Sequence, residues 1–286
     1  VSGEYQDNDG IVTGIGNRDW YNATRVLQRT IANTPPGEPQ YIVAPNVVDM
    51  RLAPGGIITS GPLMGTAFGV GGEPYQFQYG SLIVAPNMAG EEQSGDVGNN
   101  SNLDSAQKRR TFYGRLSYEL SPDFTVYGTY NYGYVNTFGH SWPGQYRTGT
   151  LTIQCDNAFL PDTITAACAS NNISSFALGT YIGDLPDSMA HNTRIMDRFT
   201  AGLDGRFDLF GDSWNVSAYA THGKTFTNSQ ILNAGLNPHL LAAIDAIEGP
   251  NGTIVCRSEL AQANGCVPFN VIGTGVASPT AVAYVT

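Results

Sequence analysis

The side chains able to do chemistry are few and widely spaced. Four cysteines fall as two local pairs, Cys155 with Cys168 and Cys256 with Cys266, each enclosing a polar segment that contains Pro or Asn. Structural zinc sites usually bring cysteines two to four residues apart, and no CxxC occurs here, so the pairs read as two loop-closing disulfides formed in an oxidising compartment. The histidines His140, His191, His222 and His239 have no Cys or carboxylate at metal-ligand spacing, and GxSxG, HExxH and P-loop patterns are missing. Glu91 with Glu92, and Asp204 with Asp208, are pairs of the kind a glycosidase uses, but solvated loops and barrel interiors hold such carboxylates routinely. The expectation is therefore no enzyme, no metal and no cofactor. Binding chemistry is better represented. His140-Ser141-Trp142 followed by Tyr146-Arg147 sets aromatic faces beside a guanidinium, a combination that stacks on a sugar ring or planar chelate and holds an anionic group. His140, Trp142, Tyr146 and Arg147 are the candidate ligand-binding residues, although ordinary loop packing would use the same side chains.

Composition narrows the classes. Only 13% of the 286 residues are charged against a usual share of roughly 25%, and 34 glycines make about 12% of the chain against a usual ~7%. A formal charge of -10 disfavours nucleic acid, which needs a basic footprint. Fifteen tyrosines, 12 phenylalanines and 3 tryptophans within 41% hydrophobic residues argue against disorder. No run approaches the roughly 18 apolar residues of a membrane-crossing helix, and Val1 to Tyr5 lack the start of a signal peptide.

The elements that would position these residues are strands. From Arg110, Phe112, Gly114, Leu116, Tyr118 and Leu120 alternate with Tyr113, Arg115, Ser117 and Glu119, the period of a strand with one apolar and one polar face. Ser121-Pro122-Asp123 turns the chain. Phe124, Val126, Gly128, Tyr130, Tyr132 and Tyr134 then alternate with Thr125, Tyr127, Thr129 and Asn131. A second hairpin repeats the arrangement: Phe199, Ala201, Leu203, Gly205 and Phe207, a turn at Gly211-Asp212, then Trp214, Val216, Ala218 and Ala220. The expected division is a loop region over 1–109, a hairpin over 110–134, a loop over 135–197, a hairpin over 198–222 and a loop over 223–286. Within the first loop, Tyr41 to Val43 and Ser81 to Val84 read as short strands.

Strands of about ten residues match the roughly 9–11 that cross a bilayer at a tilt, and outer-membrane barrels join theirs by short turns on one side and long loops on the other. Here the two short turns fall on one side and the three long segments on the other. Tyr118, Tyr130, Tyr132, Tyr134, Phe124, Phe207 and Trp214 lie toward strand ends, where aromatic girdles meet the membrane interfaces. A one-residue slip would turn Arg115 and Arg206 into hydrocarbon, at about 2–4 kcal/mol each near the mid-plane. The register therefore places Arg115, Glu119, Asp204 and Arg206 toward a wet lumen. The fold class expected is all-β, a fragment of a large antiparallel transmembrane β-barrel with long extracellular loops. One helix is expected in the last loop, capped by Asn237, opened by Pro238, carrying Leu240, Ile244 and Ile247 on one stripe and stopped by Gly249-Pro250.

Several stretches bear a resemblance: Pro54-Gly55-Gly56-Ile57-Ile58-Thr59-Ser60-Gly61-Pro62-Leu63, Phe77-Gln78-Tyr79-Gly80-Ser81-Leu82, Arg109 to Tyr134, and Cys155-Asp156-Asn157-Ala158-Phe159-Leu160-Pro161. Gly252-Thr253-Ile254-Val255-Cys256-Arg257-Ser258 and Gly265-Cys266-Val267-Pro268-Phe269-Asn270 belong with them. Together they resemble the TonB-dependent outer-membrane receptors of proteobacteria. The resemblance implies a large barrel, filled by a plug domain, that takes up a scarce nutrient such as a siderophore, cobalamin or oligosaccharide. Its implied partners are outer-membrane lipid, the nutrient, and the TonB complex acting through the plug region. The chain departs from that pattern in showing no plug, no TonB-contacting segment and no aromatic-ended last strand. Four strands cannot close a lumen that takes roughly 22, so the chain is expected to be an internal portion of a longer receptor.

The competing reading is a secreted or surface-displayed β-rich protein, an adhesin or filament subunit, whose hairpins pack into a sandwich core. That reading expects Phe112, Leu116 and Val126 to be shielded by a second sheet.

Overall fold

The computed structural model describes residues 1–12, 18, 25–28, 34–45, 47–89, 102–142 and 147–286, with the backbone alone for Arg25–Gln28, Ser141 and Trp142. Strands come first: β1 (Ser2–Asn8), β2 (Arg25–Gln28), β3 (Tyr41–Ala44), β4 (Val47–Asp49), β5 (Ile57–Ile58), β6 (Thr66–Phe68), β7 (Pro74–Gln76), β8 (Leu82–Val84) and β9 (Asn87–Ala89). The long strands follow: β10 (Ala106–Ser121), β11 (Phe124–Trp142), then β12 (Arg147–Gln154), helix α1 (Asp162–Ser170), β13 (Ser175–Thr180), β14 (Ser188–Leu209) and β15 (Asp212–Leu232). The chain closes with α2 (Asn237–Ile244), β16 (Ala246–Glu248), β17 (Ile254–Cys256), α3 (Glu259–Ala263) and α4 (Pro279–Val285). The protein is mostly antiparallel β. Its contacts divide it into a sheet unit (1–13, 102–141 and 189–232) and a loop unit (14–101, 142–188 and 233–286).

The sheet unit is one open sheet in the order β1-β10-β11-β14-β15. Both alternating segments form hairpins in the register their patterns dictate. Leu116 pairs with Gly128 and Arg115 with Thr129, while Leu203 pairs with Ala218 and Arg206 with Asn215. Two-residue connections join them. Phe210 and Gly211 take φ of 55° and 87° between the paired Leu209 and Asp212, the doubly left-handed turn that matches strand twist and favours Gly at its second position. The turn is therefore Phe210-Gly211, one residue earlier than Gly211-Asp212.

The strands run well beyond 110–134 and 198–222. They reach from Ala106 to Trp142 and from Ser188 to Leu232, and β1 adds a strand where the sequence reads as loop. The reason is visible in the added residues. They carry no apolar stripe, so periodicity does not mark them, and polar pairs support their ladder instead. Asn136 Nδ2 lies 2.8 Å from His191 Nε2 and 2.9 Å from Thr193 Oγ1, and Ser229 donates to Asn192. Along β1, Glu4 pairs with Arg109 and Asp7 with Lys108.

The loop unit holds all the buried clusters found among the described residues. Its main sheet, β12-β13-β5-β6-β7, packs Leu151, Ile153, Leu178, Ile58 and Phe68 with Leu240 and Ile244 of α2, Val285 of α4 and Phe269. A second cluster gathers Ala53, Ile57, Ala67, Phe77 and Met88. Tyr41 to Val43 and Ser81 to Val84 fall on β3 and β8, in two smaller sheets. The segments expected as loops thus contain their own folded core. Helix α2 forms with Pro238 in its first turn, but Leu236 is the N-cap. Asn237 is helical and its side chain accepts from Arg147 Nη2 at 2.6 Å. The helix stops at Asp245, before Gly249-Pro250, because Ala246–Glu248 pairs with β17 instead, and Ile247 lies on that strand.

Candidate functional site

The two faces of the sheet unit differ in chemistry. Register and ring contacts place Phe112, Leu116, Val126, Tyr130, Phe199, Leu203, Val216 and Trp214 on one face. Tyr130 stacks on Phe199 with centroids 4.5 Å apart, which joins the two hairpins across the β11–β14 neighbour pair. These residues are not covered: Leu116 is 79% exposed, Phe199 57% and Trp214 52%. Phe112 is exposed as well, and Val126, Leu203 and Val216 are only partly buried. The shielding expected of a sandwich does not occur.

This apolar zone has a finite height. From Phe124 to Tyr134 it runs roughly 33 Å along the strand at ~3.3 Å per residue. A charged row bounds it on the side away from the turns. There Arg110 lies over the rings of Tyr5 and Tyr134, 5.7 and 5.5 Å from their centroids, and Asp197 accepts from the Tyr130 hydroxyl at 2.6 Å. Lys224 stands directly opposite Asp197 in the ladder. Beyond this row the same face becomes largely polar, with Asn136, His191, Thr193, Asn228 and Gln230, interrupted by the Ile195–Phe226 pair.

The opposite face carries Arg115, Glu119, Asp204 and Arg206 together, as alternation requires. It is laced by polar pairs. Ser217 donates to Asp204 at 2.7 Å, Arg206 Nη2 donates to Ser213 at 3.2 Å, Ser213 donates to Asp208, and Thr200 and Thr221 share a hydrogen bond. Three tyrosines, Tyr113, Tyr127 and Tyr219, share this face, and Tyr127 is the one that reaches the neighbouring hairpin. The Arg115 guanidinium sits 4.1 Å from its centroid, while a Cβ added at Gly202 would lie 2.4 Å from the ring. Gly202 is thus the recess that lets Tyr127 reach across to β14, an aromatic ring covering a strand glycine.

The four candidate ligand residues fall in different places. His140 ends the sheet unit, whereas Trp142 and Arg147 belong to the loop unit. Arg147 opens β12, where burial pulls its guanidinium below its ordinary value. Tyr146 and the Glu91-Glu92 pair lie outside the described residues, as does the side chain of Trp142. Among the described residues no group of three or more His, Cys, Asp or Glu is placed to hold a metal ion.

Both cysteine pairs are bonded, with Cα–Cα distances of 6.1 Å for Cys155–Cys168 and 6.3 Å for Cys256–Cys266. Arg257, next to Cys256, reaches Asp156, next to Cys155. Its Nη1 and Nη2 donate to the two Asp156 carboxylate oxygens at 2.9 and 2.6 Å, and its Nε donates to Asp245 at 2.9 Å. The fork geometry is the strong form of a guanidinium–carboxylate pair. Sequence pattern gives no sign of this bridge, because Asp156 and Arg257 are 101 residues apart and carry no period. These hydrogen bonds hold the Asp156 carboxyl below the usual carboxylate range and push Arg257 up. A carboxyl depressed in the folded state adds stability above its unfolded value of ~3.9 and loses it as pH falls through the folded one. Thermal melts from pH 5 down to pH 2 should therefore show a steeper acid loss in the native protein than in Arg257→Gln. Parallel acid limbs would show that the bridge does not feed the loop unit's stability.

No family model matches the sequence, and neither the curated proteins nor the solved structures contain a similar chain.

Proposed function

We propose that this chain is barrel wall and extracellular loop from a TonB-dependent outer-membrane receptor, working by capture and passage of a nutrient without bond chemistry. The observation that carries the reading is the sheet unit's uncovered apolar face, bounded in height by charge and backed by a polar face. At the ~35–45° tilt of outer-membrane strands the zone would span about 23–27 Å, close to the ~25 Å apolar band of such barrels. A soluble sheet of this size would have to bury that face against another layer.

In hydrocarbon, every unpaired backbone group costs several kcal/mol. The outer edges of β1 and of the 21-residue β15, which pair with no further strand among the described residues, would then meet further strands, supplied by the rest of a longer polypeptide. Arg115, Glu119, Asp204 and Arg206 would line the wet interior. The loop unit, stiffened by its own core and two disulfides, would supply the rigid surface on which capture residues sit.

Nitroxide labels at Leu116 and Ser117, introduced into the full-length polypeptide in its membrane, test this. The label at Leu116 should collide with dissolved oxygen and not with a water-soluble nickel chelate, and the label at Ser117 should do the reverse. Equal access of the chelate to both positions would defeat the membrane reading and favour a surface-displayed β-protein.

A further inference from the structure

The apolar face is not smooth. A hollow of about 770 Å³ opens on it, within the ~300–1,000 Å³ typical of small-ligand sites. Its floor is Gly114, Gly128, Ala201 and Ala220, where four adjacent strands place little or no side chain on the same side. Leu116 and the stacked rings of Tyr130 and Phe199 form its walls, and His222 lies at its upper end.

Charge is placed along one end of the hollow. Lys224 follows His222 by one step on the same face, and Arg110 stands two steps beyond Gly114. Three strand spacings separate the two cations, roughly 14 Å at ~4.8 Å each. Two carboxylates share this face nearby: Asp7 pairs with Lys108, and Asp197, directly opposite Lys224 in the ladder, accepts from the Tyr130 hydroxyl and keeps its charge. Among the described residues neither Arg110 nor Lys224 forms an ion pair. An apolar trough running up to two cations and a single carboxylate not matched by a lysine, Asp197, keeps a net positive end and matches an amphiphile with an acyl chain and an anionic head. Neutral lipid would fill the trough and leave the cations unanswered.

We propose that this hollow is a lipid site, taking one acyl chain of an anionic phospholipid whose phosphate is held by Lys224 and Arg110. The inference rests on the membrane reading above and adds a lipid class to it.

The test uses the full-length polypeptide in nanodiscs of phosphatidylcholine containing a minority of phosphatidylglycerol, with retained lipids counted by native mass spectrometry. The native protein should retain phosphatidylglycerol in preference to phosphatidylcholine. Lys224→Gln and Arg110→Gln should each lower that preference about fivefold, the effect of one basic residue near an anionic surface. Ala201→Phe fills the trough while keeping the face apolar. It should cut retention at least about tenfold, as losing two buried methylenes would.

Equal retention of the two lipids by the native protein would overturn the proposal, as would unchanged retention in Ala201→Phe. So would recovery of protein dimers in place of lipid adducts, which would assign the trough to a second copy. A polypeptide that enters the nanodisc and shows no lipid preference defeats this inference alone. One that never enters the nanodisc defeats the membrane reading as well.

Discussion

Arginine at both Leu116 and Leu203 should abolish membrane assembly of the polypeptide or lower its unfolding free energy in bilayers by about 4–8 kcal/mol, at ~2–4 kcal/mol for each mid-plane arginine. The two leucines sit near the middle of the apolar zone, in the separate hairpins, facing the same side. The expectation for water is opposite. Leu116 is 79% exposed within the chain, and surface substitutions away from special features usually stay within about 0.5 kcal/mol. A control comes from the other face: Ser117→Arg and Ser217→Arg point to the polar side and should cost little in either medium. Guanidinium unfolding in bilayers of the double leucine variant and the two serine variants separates the cases. If the leucine variants assemble and unfold as the serine variants do, the sheet does not face lipid.

The same contrast explains what was readable in the sequence. Hairpins over 110–134 and 198–222 announce themselves because each has one face apolar at every second position, a pattern that burial or lipid must enforce. The outer lengths of the same strands carry Asn, Thr, Ser and His on both faces, as at Asn136, His191, Thr193 and Asn228 on one and Thr137, Asn192 and Ser229 on the other. Their pairing is fixed by the inner ladder and by polar contacts, and neither leaves a period. Strand β1 is silent for the same reason, since its sequence is SGEYQDN and the side chains that add to its ladder with β10 are ionic.

The loop unit was legible only in pieces. Apart from β12 and β13, its main sheet is built from strands of two or three residues such as Ile57–Ile58 and Thr66–Phe68, too short for any alternation to be counted. Helix α2 shows itself through Pro238, while the cap falls on Leu236 because Asn237 is drawn to Arg147. Helix α4 carries a signal of the same kind in Ser278-Pro279. Ser278 accepts from the Ala281 amide, with Pro279 in the first turn. Helix α1 has no side-chain cap and contains two threonines, so only its cysteine marks it. On the apolar face of the sheet unit, the row formed by Arg110, Asp197 and Lys224 interrupts the apolar alternation, yet only the paired register shows that the three bound one zone.

Replacing Cys155 and Cys168 by Ala, or Cys256 and Cys266 by Ala, should each lower the loop unit's stability by about 3 kcal/mol, the chain-entropy value for closed loops of 13 and 10 residues. Cys168 and Cys256 are 1% and 0% exposed, so each bridge also anchors a loop to the core. The first ties the end of β12 to α1, and the second ties β17 to the segment after α3. The two losses should not add. Arg257 bonds Asp156 across the two stapled loops, so freeing either loop already weakens the bridge that the other one supports. The fourfold variant should then lose less than the sum of the pairs by at least about 0.5 kcal/mol, the lower end for coupled sites. With Arg257→Gln in the background, that shortfall should vanish. Guanidinium unfolding followed by loop-unit fluorescence gives all three numbers. Losses below about 1 kcal/mol for each pair would mean that the core holds these loops without their bridges, and a shortfall that persists without Arg257 would place the coupling elsewhere.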